Sequence, residues 1–273
     1  MVNDLKRFSD VKLIFIGGQK KVYFANHPEY GSVVIKIGDF KNGTQLERIK
    51  REVEFLRSIN SKYFPKNYEF KVEEKERKFF IVEEFIRSKK ITELTNYYNS
   101  EKRIIELLYN LIEALKFLWN SNIVHRDLKP DNILINDNFD PVIIDLGIAR
   151  FLEYESLTNT IALFGPCTPI YAAPEQLLNK KELINMRTDF FALGIIILEM
   201  HLGYHPFLPE KVRDGKSIPE NIVNGLYVHP NVKKGTSDSF SLLIERLLKV
   251  HPYQRFRNYE ILRKFLTKYW EIK

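Results

Sequence analysis

A single cysteine, Cys167, stands among the 273 residues of this chain, so no disulfide can form within it and a reducing compartment, the cytoplasm, is the expectation. Long apolar runs are missing as well. The longest inside a helical pattern, Phe190 to Met200, is well short of the about 20 residues needed to span a bilayer. The opening ten residues, MVNDLKRFSD, carry charges and no apolar core, which gives no reason to expect a signal peptide. Internal repeats and low-complexity stretches are absent too. With only 12 glycines and 12 prolines, the composition is neither collagen-like nor linker-like. Disulfide scaffolds, membrane spans and repeat arrays are therefore excluded as readings.

What is present is ordinary globular material. Hydrophobic residues make up 44% and charged residues 28%, enough apolar surface to build a core and too much for a disordered chain. Lys plus Arg exceeds Asp plus Glu by 42 − 35 = 7, a moderately basic balance that favours phosphates or acidic partners. The lysines are spread along the chain, which reads as an ordinary solvated surface, so the charge does not choose among phosphates, acidic partners and nucleic acid, the last not otherwise indicated.

Residues 11 to 38 cluster Val, Ile, Phe and Tyr and are broken at Gly17-Gly18, Asn26-His27-Pro28 and Gly31, the pattern of three antiparallel strands. Leu46, Ile49, Val53 and Leu56 then recur at helical spacing, predicting a helix from about Thr44 to Ile59. Two strand-like runs follow, Tyr68 to Glu73 and Lys78 to Ile86, joined by the charged turn EEKER. The first third reads as a five-stranded sheet with one helix. From Thr92 the periodicity is mainly helical, first through the stripe Ile104 to Leu118 and later over Asp189 to Met200, Phe240 to Lys249 and Tyr259 to Trp270. Short strands are expected at Ile133-Leu134-Ile135 and Val142-Ile143-Ile144. The fold class is α+β, with a boundary near Arg87 to Lys90.

The densest chemistry is His125-Arg126-Asp127-Leu128-Lys129-Pro130-Asp131-Asn132, followed thirteen residues later by Asp145-Leu146-Gly147. It supplies an acid, a lysine, an amide and a second acid, the groups phosphoryl transfer needs: a carboxylate that orients the attacking hydroxyl, a cation for the transferring group, and hard oxygen ligands for a metal. An isolated Asp or Asn in a loop is an ordinary turn residue; the joint spacing argues otherwise.

This run resembles the catalytic loop and metal-binding motif of protein kinases, and the resemblance continues through Ala173-Pro174-Glu175. It covers the chain from about residue 10 to 268 and is similar to eukaryotic-like (Hanks-type) serine/threonine kinases, to which Thr168 and Lys129 point. It implies the bilobal protein-kinase fold, with an ATP-binding lobe over residues 1–86 and a helical catalytic and docking lobe over 87–273. By resemblance, Asp127 and Lys129 are catalytic, Asn132 and Asp145 hold Mg²⁺ (Mn²⁺ being an alternative), and Lys36 in Val33-Val34-Ile35-Lys36 holds the ATP phosphates. Glu52, sixteen residues on, is expected to reach Lys36 from the helix, with Glu54 as a rival. Gly17, Gly18, Lys20, Val22, Val34, Glu84, Ile86 and Leu134 would form the nucleotide site, Glu84 and Ile86 through backbone groups. Asp189 and Arg255 match structural residues that brace the catalytic loop and pair with Glu175.

The chain departs from the family pattern in places. Anchored on Val22, the glycine-rich loop keeps only Gly17, with Gly18 out of register; Lys20 is either a cation for the phosphates or a solvated hairpin residue. Val34 replaces the usual alanine, Cys167 a glycine. Glu83 stands at the back of the adenine slot, where a buried carboxylate is costly unless paired, so a cationic or hydrogen-bonding neighbour is expected beside it. Arg126 and the loop hydroxyls Ser156, Thr158 and Thr160 suggest autophosphorylation, through a transient homodimer, besides transfer to a protein substrate. Two other classes remain: a pseudokinase that binds nucleotide without turnover, and a small-molecule phosphotransferase, which should lack the Thr168 to Glu175 docking segment.

Overall fold

The computed structural model describes residues 2–17, 20–146, 150–151 and 168–271. Gly18, Cys167 and the expected phosphorylation sites Ser156, Thr158 and Thr160 lie outside the described residues. The chain forms two compact units: Met1–Ser88 with Asn136–Gly147, and Lys89–Ile135 with Ile148–Lys273. The return of 136–147 to the first unit is a feature that a continuous division at residue 86 does not contain.

In the first unit, the β-branched and aromatic runs form β1 (Ser9–Ile16), β2 (Lys20–His27), β3 (Gly31–Asp39), β4 (Asn67–Glu73) and β5 (Lys78–Glu84). They make one antiparallel sheet in the order β1-β2-β3-β5-β4. Gly31, at φ +68°, takes the left-handed conformation that ends the β2–β3 turn without a Cβ penalty. Side chains alternate between the two faces. On one face Ala25, Val33, Ile35, Phe80 and Val82 pack with Phe8. On the other, Phe79 and Ile81 pack with Phe40, Leu46 and Val53, the last two from α1 (Gly43–Ser58). Asn42 caps that helix by accepting the Gln45 N–H at 3.0 Å, which satisfies one of its orphan donors. The five strands and the helix fall where the spacing predicts, to within a residue or two.

Residues 136–147 are pinned to the chain just after α1. The Ile143 N–H donates to the Tyr63 carbonyl at 2.8 Å, and Lys62 lies 2.7 Å from Asp140. Asp145 is thereby delivered to the first unit.

The second unit is helical: α2 (Glu101–Asn120), α3 (Pro174–Leu177), α4 (Met186–Leu202), α5 (Ile218–Asn224), α6 (Asp238–Leu247) and α7 (Tyr259–Glu271). The stripe Ile104, Leu107, Leu108, Leu111, Leu115 and Leu118 is buried. Helix α4 is apolar nearly all round and buried almost throughout, as expected for a helix at the centre of a core. Gly194 permits this: a Cβ there would stand 2.9 Å from both Leu247 Cβ and Leu248 Cδ2. Two helices escape the periodicity, α3 and α5, because four and seven residues are too few to show a stripe; each has a proline in its first turn, the one local signal. A short antiparallel pair, Ile123–Val124 with Arg150–Phe151, completes this unit.

Candidate active site

The loop from His125 to Asn132 in the second unit hangs on one buried acid. Asp189, in the first turn of α4, accepts the Trp119 Nε1–H at 2.8 Å and the backbone N–H groups of His125 and Arg126 at 3.0 and 2.9 Å. Burial pushes its carboxyl up, and these donors and His125 oppose the shift. Gln176 adds a bond from its amide to the Arg126 carbonyl at 2.8 Å. With both ends of the dipeptide held, Arg126 takes φ +70°, a strained conformation for a non-glycine that persists only where surroundings impose it.

Asp127 follows and gathers the groups the sequence singled out. Its Oδ1 accepts the Thr168 hydroxyl at 2.6 Å and the Thr168 N–H at 3.0 Å. The Lys129 ammonium lies 3.2 Å from Oδ2 and donates to Thr168 Oγ1 at 2.8 Å. The Asn132 amide donates to the Asp127 carbonyl at 2.8 Å and to Oδ2 at 3.3 Å, which leaves Asn132 Oδ1 as its ligating end. A carboxylate so held can orient a hydroxyl and receive its proton, with an ammonium beside it. Thr168, expected as a branch marker at the start of the docking segment, is thus a direct partner of both Asp127 and Lys129.

The first unit gathers a second set of charges. The Lys36 ammonium lies 2.6 Å from Glu83 Oε2, with side chains 10% and 3% exposed. Glu83 therefore has the cationic neighbour its burial demands. The expected Lys36–Glu52 ion pair is corrected: Glu52 Oε1 instead accepts the Leu146 N–H at 3.2 Å. The reason is register, since Glu83 stands on the neighbouring strand and the same face as Lys36. Burial by itself would lower the Lys36 pKa, but Glu83, then Glu52 and Asp145, outweigh it and the pKa is raised. Burial first, then the Asp145 carboxylate, pushes Glu52 above the ordinary carboxylate range. Lys20, read as either a phosphate cation or a solvated residue, pairs with Asp145 Oδ1 at 2.7 Å.

The other nucleotide-site candidates are placed as follows. Val22 and Val34 are half-buried on the same sheet face as Lys36, and Leu134, in the second unit, is half-buried. The Gly17 N–H donates to the Lys20 carbonyl at 2.9 Å, closing the β1–β2 turn. The Glu84 N–H donates to the Lys66 carbonyl at 2.9 Å, and the Ile86 carbonyl accepts the Ser88 hydroxyl at 2.9 Å. Among the described residues no group of three or more His, Cys, Asp or Glu could hold a metal. The candidate donors, the carboxylate of Asp145 and the amide oxygen of Asn132, are instead two hard oxygens.

The docking segment is built as firmly as the loop. Tyr171 donates its hydroxyl to Glu199 at 2.7 Å, and His205 Nε2 lies 2.9 Å from the Ile170 carbonyl. His205 Nδ1 accepts the Phe207 N–H at 3.3 Å, so Nε2 carries the proton and the ring is neutral. Burial pushes the His205 pKa down to about 4. An unfolded histidine takes up its proton near 6.5, so between those values the unfolded state binds more protons and stability falls as pH falls. Urea unfolding is expected to show this loss between pH 7 and 5. A His205→Gln variant should show a smaller loss; an equal one would refute the assignment.

An acid held beside a lysine and an amide on one loop, and a second acid and lysine on a sheet-borne set, define the phosphotransferase class. Residues 8–266 match the protein kinase domain family, and the chain belongs to that family. It is 29% identical over 263 residues to the maternal embryonic leucine zipper kinase of Xenopus tropicalis, covering 92% of this chain and 37% of that protein. It is likewise 29% identical to the carbon catabolite-derepressing protein kinase of Candida tropicalis (95% and 41%). A third relative, the serine/threonine-protein kinase SIK1 of Mus musculus, is 29% identical (82% and 28%). The chain spans about two fifths or less of the length of these three relatives.

Proposed function

We propose that this domain transfers the γ-phosphate of Mg·ATP to serine or threonine hydroxyls of a protein substrate. The observation that carries the reading is the Asp127–Thr168–Lys129–Asn132 network, in which the Asp127 carboxylate is held by the Thr168 hydroxyl, the Lys129 ammonium and the Asn132 amide. Asp127 orients the attacking hydroxyl and takes its proton. Lys129 neutralises charge on the transferring group, and Lys36 receives the phosphates. Asn132 and Asp145 would hold the divalent ion, Mg²⁺ or Mn²⁺, which would supply charge neutralisation at the phosphates. Val22, Val34 and Leu134 would flank the base, with Glu84 and Ile86 bonding its edge through their backbones and Gly17 and Gly18 turning the loop above the phosphates. No helix among the described residues is long and apolar enough to cross a membrane, and the solitary cysteine favours the cytoplasm. Autophosphorylation at Ser156, Thr158 or Thr160, in a transient homodimer, belongs to the same reading.

A second reading, a nucleotide-binding scaffold without turnover, draws on one observation: the carboxylate of Asp145 is already engaged by Lys20. Transfer of label from γ-labelled ATP to the chain itself and to a generic basic protein separates the two. Label is expected on both, and none with Asp145→Asn. Incorporation that survives the substitution would overturn the assignment of Asp145, and none in the unsubstituted chain would favour the scaffold.

A further inference from the structure

Lys36 and Glu83 meet because of strand register. β3 and β5 pair Lys36 with Ile81 and Val34 with Glu83. Directly opposed residues share a face, so Glu83 is the diagonal neighbour of Lys36, a separation long side chains bridge. Both residues are carried by adjacent strands of one sheet, whose separation is fixed by the hydrogen-bond ladder. Glu52 is carried by α1, and its Oε1 accepts the Leu146 N–H, next to Asp145. A helix packed on a sheet can shift; two paired strands cannot part without breaking their ladder.

We propose that Glu83 is the positioning residue for the Lys36 ammonium, while Glu52 positions the Asp145-Leu146 backbone. This rests on the kinase reading above. Placement of the phosphate-binding cation is then built into the sheet, to which α1 adds the charge of Glu52 but no bond. The chemistry allows it: an ammonium has three donors, and the bond to Glu83 leaves two for phosphate oxygens. Taking the carboxylate away leaves a buried cation without its nearest counter-charge, a strongly unfavourable state from which the side chain swings away. The two glutamates should therefore separate kinetically, Glu83 acting on nucleotide affinity and Glu52 on turnover.

The test compares the unsubstituted chain with Glu83→Gln, Glu83→Asp and Glu52→Met. Mg·ATP affinity is read by titration calorimetry and steady-state transfer with a generic basic protein. Glu83→Gln is expected to weaken Mg·ATP binding about tenfold with kcat within about threefold, and Glu52→Met to lower kcat about tenfold with affinity within about threefold. Glu83→Asp keeps the charge but shortens the reach, so an intermediate loss of affinity is expected; it carries the comparison if thermal melting shows that the Gln variant does not fold. Glu83 variants that bind as tightly as the parent would overturn the proposal. So would a Glu52→Met variant that loses as much affinity as Glu83→Gln. A parent chain that binds Mg·ATP but transfers nothing overturns the kinase reading and leaves the affinity comparison to decide the role of Glu83. A parent that binds no Mg·ATP overturns both.

Discussion

Asp127→Asn is expected to cut phosphoryl transfer by about a hundred- to ten-thousandfold, the range of a lost positioned base, with little change in thermal stability. The asparagine oxygen can still accept the Thr168 N–H and hydroxyl, which meet Oδ1 at 3.0 and 2.6 Å. At the other branch an amide NH₂ would face the Lys129 ammonium and the Asn132 NH₂, which Oδ2 now accommodates at 3.2 and 3.3 Å. The substitution therefore removes the proton acceptor and turns an attraction into a donor–donor contact, at one atom. Initial rates beside a melting curve check it. A variant that keeps a tenth of the parent rate would remove Asp127 from the reaction.

The largest effect on stability is expected at Arg255. Its guanidinium makes two parallel bonds of 2.8 Å to Glu175 and gives its other donors to the carbonyls of Lys249, Arg187 and Val250. Thr188 donates to the same carboxylate at 2.9 Å, and the two charged side chains are 0% and 1% exposed. Such a pair contributes little net stability compared with an apolar pair of equal volume, but removing one partner strands the other charge and costs about 3–5 kcal/mol. Arg255→Leu should lose that much in urea unfolding. The double variant Arg255→Leu/Glu175→Leu should regain part of it, because no charge is left buried. A single variant as stable as the parent would refute the account.

The catalytic loop was legible in the sequence because its chemistry needs fixed residue types at short spacing; Asp127, Lys129 and Asn132 fall within six consecutive positions. The sheet and long helices were legible through periodicity, which burial enforces on every turn or alternate residue. Thr168 was visible only as a family marker. Its bonds to Asp127 span 41 positions, and nothing local announces them. The Lys36–Glu83 pair was half legible: the need for a cation followed from burial, but its identity required the β3–β5 register. Counting parity from the two strands would have supplied it, since residues two apart on each strand share a face. Lys20 was read from the loop it terminates, and its ion pair with Asp145 depends on the return of a distant segment.

That return has a consequence for how the chain assembles. Residues 89–135 are made before Asn136–Gly147 emerges, so the first unit cannot acquire its last segment until a long excursion has closed on itself. Closure of this kind carries an entropic cost that grows only slowly with length, but contacts distant in sequence form late. A nascent chain halted near residue 88 would hold the sheet and α1 and lack both Asp145 and the amide that engages Glu52. Glu52 on that fragment would have no Leu146 N–H to settle on, and Asp145, the proposed metal ligand, would be added only after synthesis had passed well into the helical half.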